Sequence, residues 1–307
     1  MSAFSVVVPS PIAANTLTSS TVHAHAQTGP DSDPPLWAAG TNYAANARVT
    51  LLATNSIYQR VIAGTTAPAP NTDTANWIYV GATNRWRMFD ESSDSKTVAN
   101  DQIVTVITPP PATYVDTLVV FGCDADSVDV AVGGTSYVAA QGFAKRLVRN
   151  WTEYFFARVE NARKDFVFTG LPLIFGLPIT LTINRPNQIA SCSNVVIGKA
   201  SIIGTTHYGA VVGINDYSIK NTDGFGNTSL IVRPYSKRMS LPVTVLKENV
   251  DSVQRFLADY RAKPLVFVGA DNDYSALLVY GFYKSFEVVI AYFTHSKLSI
   301  DVEGLIK

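Results

Sequence analysis

Ile103-Val-Thr-Val-Ile107, Thr117-Leu-Val-Val-Phe121, Val128-Asp-Val-Ala-Val132, Asp165-Phe-Val-Phe168, Ile179-Thr-Leu-Thr-Ile183 and Asn194-Val-Val-Ile197 are short runs rich in Val, Ile, Thr and Phe. Branched and aromatic side chains suit a pleated surface, and runs this short fall below the usual helix length, so each reads as a strand. Gly133-Gly134 supplies a tight turn directly after the third run. Short strands at this spacing predict a β-sandwich or jelly roll over residues 82–235. Residues 128–132 alternate apolar and polar side chains only in part, which predicts a sheet covered on both faces.

The C-terminal stretch, residues 236–307, mixes element types. Leu241-Pro-Val-Thr-Val-Leu246 reads as a strand. Val250, Val253, Leu257 and Tyr260 recur at helical spacing over residues 249–261, with Asn249 or Asp251 as cap and Pro264 as stop. Leu265-Val-Phe-Val268, Leu277-Leu-Val-Tyr280, Phe286-Glu-Val-Val-Ile290 and Leu298-Ser-Ile-Asp-Val302 return to strands, with Gly281 at a turn or bulge. A small α+β terminal assembly unit is predicted. Upstream, residues 1–35 hold one apolar run, Phe4-Ser-Val-Val-Val8, and a linker-like Gly29-Pro-Asp-Ser-Asp-Pro-Pro35. This predicts an extended N-terminal arm able to dock on a neighbour.

Between these lies a compact aromatic segment, residues 36–81, with Trp37, Tyr43, Tyr58 and Trp77 and a turn-rich stretch over residues 64–74. So small a unit needs large apolar side chains to offset chain ordering, so the four aromatics are first of all its core. Tyr79, two residues after Trp77, shares its face if the stretch is a strand. Arg85, Trp86 and Arg87 follow, placed to cap the module against the next domain.

Lys plus Arg equals Asp plus Glu, 24 against 24, and no basic stripe is present, so nucleic acid is not an expected partner. Charged residues make up 16% and apolar ones 47%, little charge to cover a lone monomer, which predicts a homo-oligomer. The first 20 residues lack a basic region and are broken by Pro9 and Pro11, so no secretory signal is read. No window is long and apolar enough for a membrane span, and a soluble protein made in the cytoplasm is expected. Cys123 and Cys192 form no metal or redox motif and are expected as two buried thiols.

His23 and His25 lack further ordered ligands, and His207 in a turn reads as structural rather than basic. Asp90-Glu91-Ser-Ser-Asp94 lacks the spacing of a calcium loop, and Asp223-Gly-Phe-Gly-Asn227 reads as a glycine-driven hairpin. No nucleophile elbow, zinc-protease, phosphate-loop or dinucleotide motif occurs. No enzyme activity, cofactor or metal is expected.

The order Trp37, Tyr43, Val49, Tyr58, Pro70, Trp77 resembles the small chitin-binding-type carbohydrate modules attached to bacterial chitinases. The resemblance implies a three-stranded fold, with Trp37, Tyr43, Tyr58, Trp77 and Tyr79 as candidate carbohydrate-binding residues. In that family an adjacent aromatic pair stacks on sugar rings; here Val61 and Ile62 occupy those positions. A branched aliphatic offers a sugar face far less than a flat ring does.

Ala82-Thr-Asn-Arg-Trp-Arg-Met-Phe-Asp-Glu91, followed by a β-rich domain, looks like tail-associated proteins of tailed bacteriophages. In those proteins such a carbohydrate-module-like insert precedes a jelly roll similar to galactose-binding domains. Leu278-Val-Tyr-Gly-Phe-Tyr-Lys-Ser-Phe286 and Ser299-Ile-Asp-Val-Glu-Gly-Leu305 look like the end of such proteins. The resemblance implies a structural protein of the tail, tail tip or baseplate of a virion, with other phage tail proteins and further copies of itself as partners. Its alternatives are a virion protein that binds a host-surface glycan and a secreted polysaccharide-binding protein.

Overall fold

The structure, a computed structural model, describes residues 2–305 except 27, 31, 66, 93, 112, 139–149, 157–162, 173–175, 223, 271–273 and 291. It is mainly β, and every pairing between the strands named below is antiparallel. β1 (Ser2–Pro9) and β2 (Leu17–Ser20) precede a module of β3 (Asn42–Tyr43), β4 (Arg48–Leu51), β5 (Ser56–Arg60), β6 (Gly64–Thr65) and β7 (Trp77–Ala82). Next come β8 (Thr97–Ile107), β9 (Thr117–Phe121), β10 (Ser127–Val132), β11 (Thr135–Val138), α1 (Trp151–Phe156), β12 (Phe166–Phe168), β13 (Ile179–Cys192) and β14 (Asn194–Thr206). The chain continues with β15 (Val211–Asp216), β16 (Ile219–Thr222), β17 (Thr228–Ile231) and β18 (Tyr235–Leu246), then α2 (Val250–Asp259), β19 (Leu265–Val268), β20 (Leu278–Val289) and β21 (His295–Gly304).

A sandwich is present within residues 82–235 but does not fill them: its strands run from β8 to the first half of β14, with β2 added from residues 17–20, while the end of β14 and β15 pair with β18. A five-stranded sheet, ordered β11-β10-β13-β8-β2, faces β12, β9 and the first half of β14. Val128, Val130, Val132, Leu181 and Ile183 on one side meet Leu118, Val120, Phe166, Phe168 and Ile197 on the other. The sheet covered on both faces is not the one the sequence indicated. β10 buries one face only, whereas all five residues of β9 are buried. Leu118 and Val120 face the sandwich, while Val119 and Phe121 face Val266, Val268, Leu278 and Tyr280 of β19 and β20. The period-2 geometry of a strand sends alternate residues to these two cores.

The same large sheet closes on itself. Its order runs β12-β9-β14-β1-β19-β20-β21-β18-β15, and β14 pairs again with β18 through Thr205–Thr244 and Thr206–Val243. Six strands, β14-β1-β19-β20-β21-β18, therefore form a barrel, which removes the open edges of those strands. Its core takes alternate residues: Phe4 and Val6 from β1, Met239, Leu241, Val243 and Val245 from β18, and Leu298, Ile300 and Val302 from β21. α2 lays Val253 and Leu257 onto the same core. Close strand approaches in the barrel need glycine, as at Gly204 and Gly281. A Cβ at Gly204 would stand 2.3 Å from the Thr244 carbonyl oxygen, and one at Gly281 would stand 2.0 Å from that of Glu303. Pro242 sits where one side of β18 passes from β15, paired over Tyr235–Ser240, to β14, paired over Val243–Thr244, so its missing N–H disturbs no ladder there.

Four expectations are corrected. The N-terminus is not an arm for a neighbour: β1 is a central strand held between β14 and β19. Residues 236–307 carry one helix among strands but are not a separate unit, since β18 to β21 close a barrel with β1 and β14. Gly281 lies inside β20, joining the two runs read as separate strands, and the ladder irregularity falls later, between Tyr283 and Ser285. The helix ends at Asp259, well before Pro264, and Asn249 makes no side-chain cap bond.

The aromatic module is the predicted three-stranded sheet, β4-β5-β7, with β3 and β6 paired beside it. Its two ends meet. Asp33, buried, accepts the Asn84 backbone N–H at 2.9 Å and lies 3.6 Å from the Arg87 guanidinium. Asn84 in turn brackets Val98 of β8, accepting its N–H at 3.0 Å and donating to its carbonyl at 2.8 Å. A protein lacking residues 36–81, rejoined across this contact, is therefore expected to keep one cooperative thermal transition and its β circular dichroism signature. A broad, non-cooperative transition in that variant would place the boundary elsewhere.

Candidate functional site

The five candidate carbohydrate residues separate into core and surface. Trp77 is 2% exposed and packs with Val49 and Tyr58, and Trp37, Tyr43 and Leu51 close around them. Tyr43 meets Trp77 edge-on with ring centres 5.3 Å apart. The Arg60 guanidinium lies 5.1 Å from the Trp77 ring centre and 3.9 Å from Asp73. A ring enclosed like Trp77 cannot stack on a sugar. Tyr79 differs: it is paired with Tyr58 across β5 and β7, shares the face of Trp77, and is 56% exposed. Burial raises the Tyr79 phenol above its usual range, with Asp90 and Tyr58 adding to the effect. Val61, Ile62, Ile78 and Val80 are also exposed. The module's outer surface thus carries one tyrosine among aliphatics.

Trp86 is half-buried and meets Phe89 edge-on at 5.9 Å, in the segment that joins the module to the sandwich. His25 is engaged with the Pro34 carbonyl at 2.8 Å, and His207 is hydrogen-bonded to Thr244 Oγ1 across the barrel closure. A cavity of about 430 Å³ beside His207 is lined by Thr206, Tyr208, Ala210, Val212, Tyr274 and Leu277, and its lining among the described residues holds no Asp or Glu. Asp90 accepts from Ser92 N–H at 2.9 Å and Ser95 Oγ at 2.8 Å, which is an ordinary turn. Among the described residues no group of three or more His, Cys, Asp or Glu is arranged around a metal position. Asp223 of the second loop lies outside the described residues.

The surface feature that sequence reading missed begins at β15. β15 is the last strand of the large sheet and, among the described residues, has no partner on its outer side. Val211, Val212 and Ile214 on it are exposed. β16 and β17 then pair only with each other, with Ile219 opposite Ile231 and Lys220 opposite Leu230, and all eight of their residues are exposed. Leu230 is 72% exposed and Val232 is 86% exposed. The root of this hairpin is fixed: Tyr217 OH donates to Glu303 Oε1 at 2.7 Å, and Arg233 N–H donates to Ser218 Oγ at 3.1 Å. The signal available in the sequence was the run Leu230-Ile-Val232, which breaks the polar character expected of a loop. A second exposed aromatic group, Trp151, Tyr154, Phe155 and Phe156 on α1, was also missed.

No family model matches the chain. No curated protein matches it either. Among the described residues no helix is long and apolar enough to cross a membrane.

Proposed function

We propose that the protein is a structural component of a tailed-bacteriophage tail, tail tip or baseplate, assembled from several copies of this chain. The observation that carries the assembly reading is the β16–β17 hairpin. A two-stranded hairpin alone in water is marginal at best, and this one exposes Leu230, Ile231 and Val232 without packing on its own chain's core. Its natural complement is a surface on another copy. A hairpin inserted into a neighbour makes a head-to-tail contact, which closes into a ring when the rotation fits. The virion assignment rests on the resemblance of residues 82–91 and 278–305 to tail-associated proteins. Its test is mass spectrometry of gradient-purified phage particles from a host carrying this gene, with the chain expected at several copies per particle. Particles without it would remove the virion assignment and leave the oligomer standing.

A second reading, binding of a host-surface glycan, is favoured by exposed Tyr79 alone. Stacking contributes about 0.5–1.5 kcal/mol per well-placed aromatic contact. A single ring without the flanking pair is expected to give affinity too weak to read by calorimetry for one copy. Val61→Trp combined with Ile62→Trp is expected to raise retention on insoluble chitin or cellulose by roughly one to two powers of ten. Tight binding by the unaltered chain, lost in Tyr79→Ala with the fold intact, would favour the glycan reading instead.

A further inference from the structure

Cys123 and Cys192 are far apart in sequence but adjacent in space. Asp124 and Ser191 exchange both backbone hydrogen bonds, 2.9 Å and 3.2 Å, as an antiparallel bridge. The next pair along this ladder is Cys123 with Cys192. Their own amides point outward: Cys123 N–H goes to the Lys164 carbonyl at 2.8 Å, while Cys192 pairs with Thr97 of β8. That is the non-hydrogen-bonded position, where Cα atoms lie about 4.5 Å apart, inside the range a disulfide spans. Both side chains enter the sandwich core, and both are reduced and buried. The side-chain hydrogen bond with Cys192, which favours the protonated thiol, together with burial, pushes Cys123 well above its usual range.

We infer that Cys123 and Cys192 are a latent disulfide, closing across the sandwich when the protein meets a small-molecule disulfide oxidant. One thiolate attacks the oxidant, glutathione disulfide for instance, and expels one glutathione. The second protein thiolate attacks the protein sulfur of that mixed disulfide and expels the other. Two protein thiols become one disulfide, one glutathione disulfide becomes two thiols, and the two protein protons end on them. The raised thiol and its burial make the exchange slow, admitted by local opening at β12, the edge strand beside Lys164. The pair stays reduced in a reducing compartment and closes in an oxidising one. The bond would tie β9 to β13 across a loop of about 70 residues, a length for which closure restrains the unfolded chain strongly. This inference concerns the single chain and stands apart from the assembly reading.

The experiment incubates the purified, reduced full chain with glutathione disulfide for hours, then alkylates it under denaturing conditions. Mass spectrometry is expected to find neither cysteine alkylated and a peptide linking Cys123 to Cys192 within one chain. The Tm is expected to rise on the order of 5–10 °C and to return with dithiothreitol. Cys192→Ser, or Cys192→Ala if serine in this core prevents folding, is expected to lose the rise. Recovery of both cysteines alkylated, a persistent glutathione adduct, a bond between chains, or a lowered Tm would each overturn the inference.

Discussion

Leu230→Lys together with Val232→Lys is expected to convert the assembled protein to monomer while leaving its Tm nearly unchanged. Both side chains are more than two-thirds exposed within their own chain, at 72% and 86%, so the isolated fold loses little when they change. In a contact between copies each would bury about 1.5–3 kcal/mol worth of apolar surface. Lysine forfeits that term and adds the desolvation of a charge, so the dissociation constant should rise by roughly a thousandfold or more. Sedimentation velocity at tens of micromolar reads the difference. A wild-type chain that already sediments as a monomer, and binds no other virion protein, would sink the assembly reading. If the variant assembles as the wild type does, the contact lies elsewhere, with exposed β15 or the aromatics of α1 as the next surfaces to alter.

Local pattern revealed elements better than their partners. The run at residues 117–121 coincides with β9, and the run at 128–132 falls within β10, because Val and Ile in short runs carry their own β signal. Phe4-Ser-Val-Val-Val8 was equally visible as an apolar run, yet it read as an arm. Nothing local shows that its ladder partners lie at residues 198–206 and 266–268. The boundary near residue 235 failed for the same reason. A helix following a strand looks like a new unit, but the strands on either side of α2 share one barrel with strands from much earlier in the chain. Gly281 was read through its backbone freedom, while its actual constraint is the carbonyl of Glu303 pressed against it.

The site was less legible than the fold. The aromatic spacing of residues 37–77 was correctly a core pattern, and Trp77 buried in it offers no platform. Tyr79 followed from strand alternation and does share that face, but its exposure depends on how the next segment packs. The hairpin around residues 223–227 is legible as a turn, but the exposure of its strands is not, because Gly224-Phe-Gly226 signals a turn equally well on a covered or a bare surface. Cys123 and Cys192 were expected as buried thiols, and both are. Their adjacency, however, is a property of ladder register that spacing along the chain cannot carry.

Glu303→Ala is expected to lower stability at neutral pH by about 2–4 kcal/mol and to loosen the hairpin at its root. Glu303 is buried on β21 and gathers four donors from three other strands and the β15–β16 connection. Asn215 Nδ2 reaches it at 3.1 Å from β15, Ser236 Oγ at 3.1 Å from β18, and Tyr217 OH at 2.7 Å, while Lys284 of β20 forms an ion pair with its second oxygen. Lys284 and then Tyr217 hold the carboxyl well below its usual 4.5, at about 2, against the opposing effect of burial. A carboxyl lowered in the folded state stabilises fully above its unfolded value and loses that contribution as pH falls toward its folded value. The window therefore runs from about pH 4.5 down to about 2. The contribution is at most about 3 kcal/mol, and solvent around the exposed Lys284 reduces it. Thermal unfolding at pH 7, 5 and 3 is expected to show the Tm of the wild type falling more steeply below pH 5 than that of Glu303→Gln, which has no carboxyl to titrate there. Tm curves for the two proteins that run parallel through this range would show that the carboxylate does not hold the barrel wall to the hairpin root.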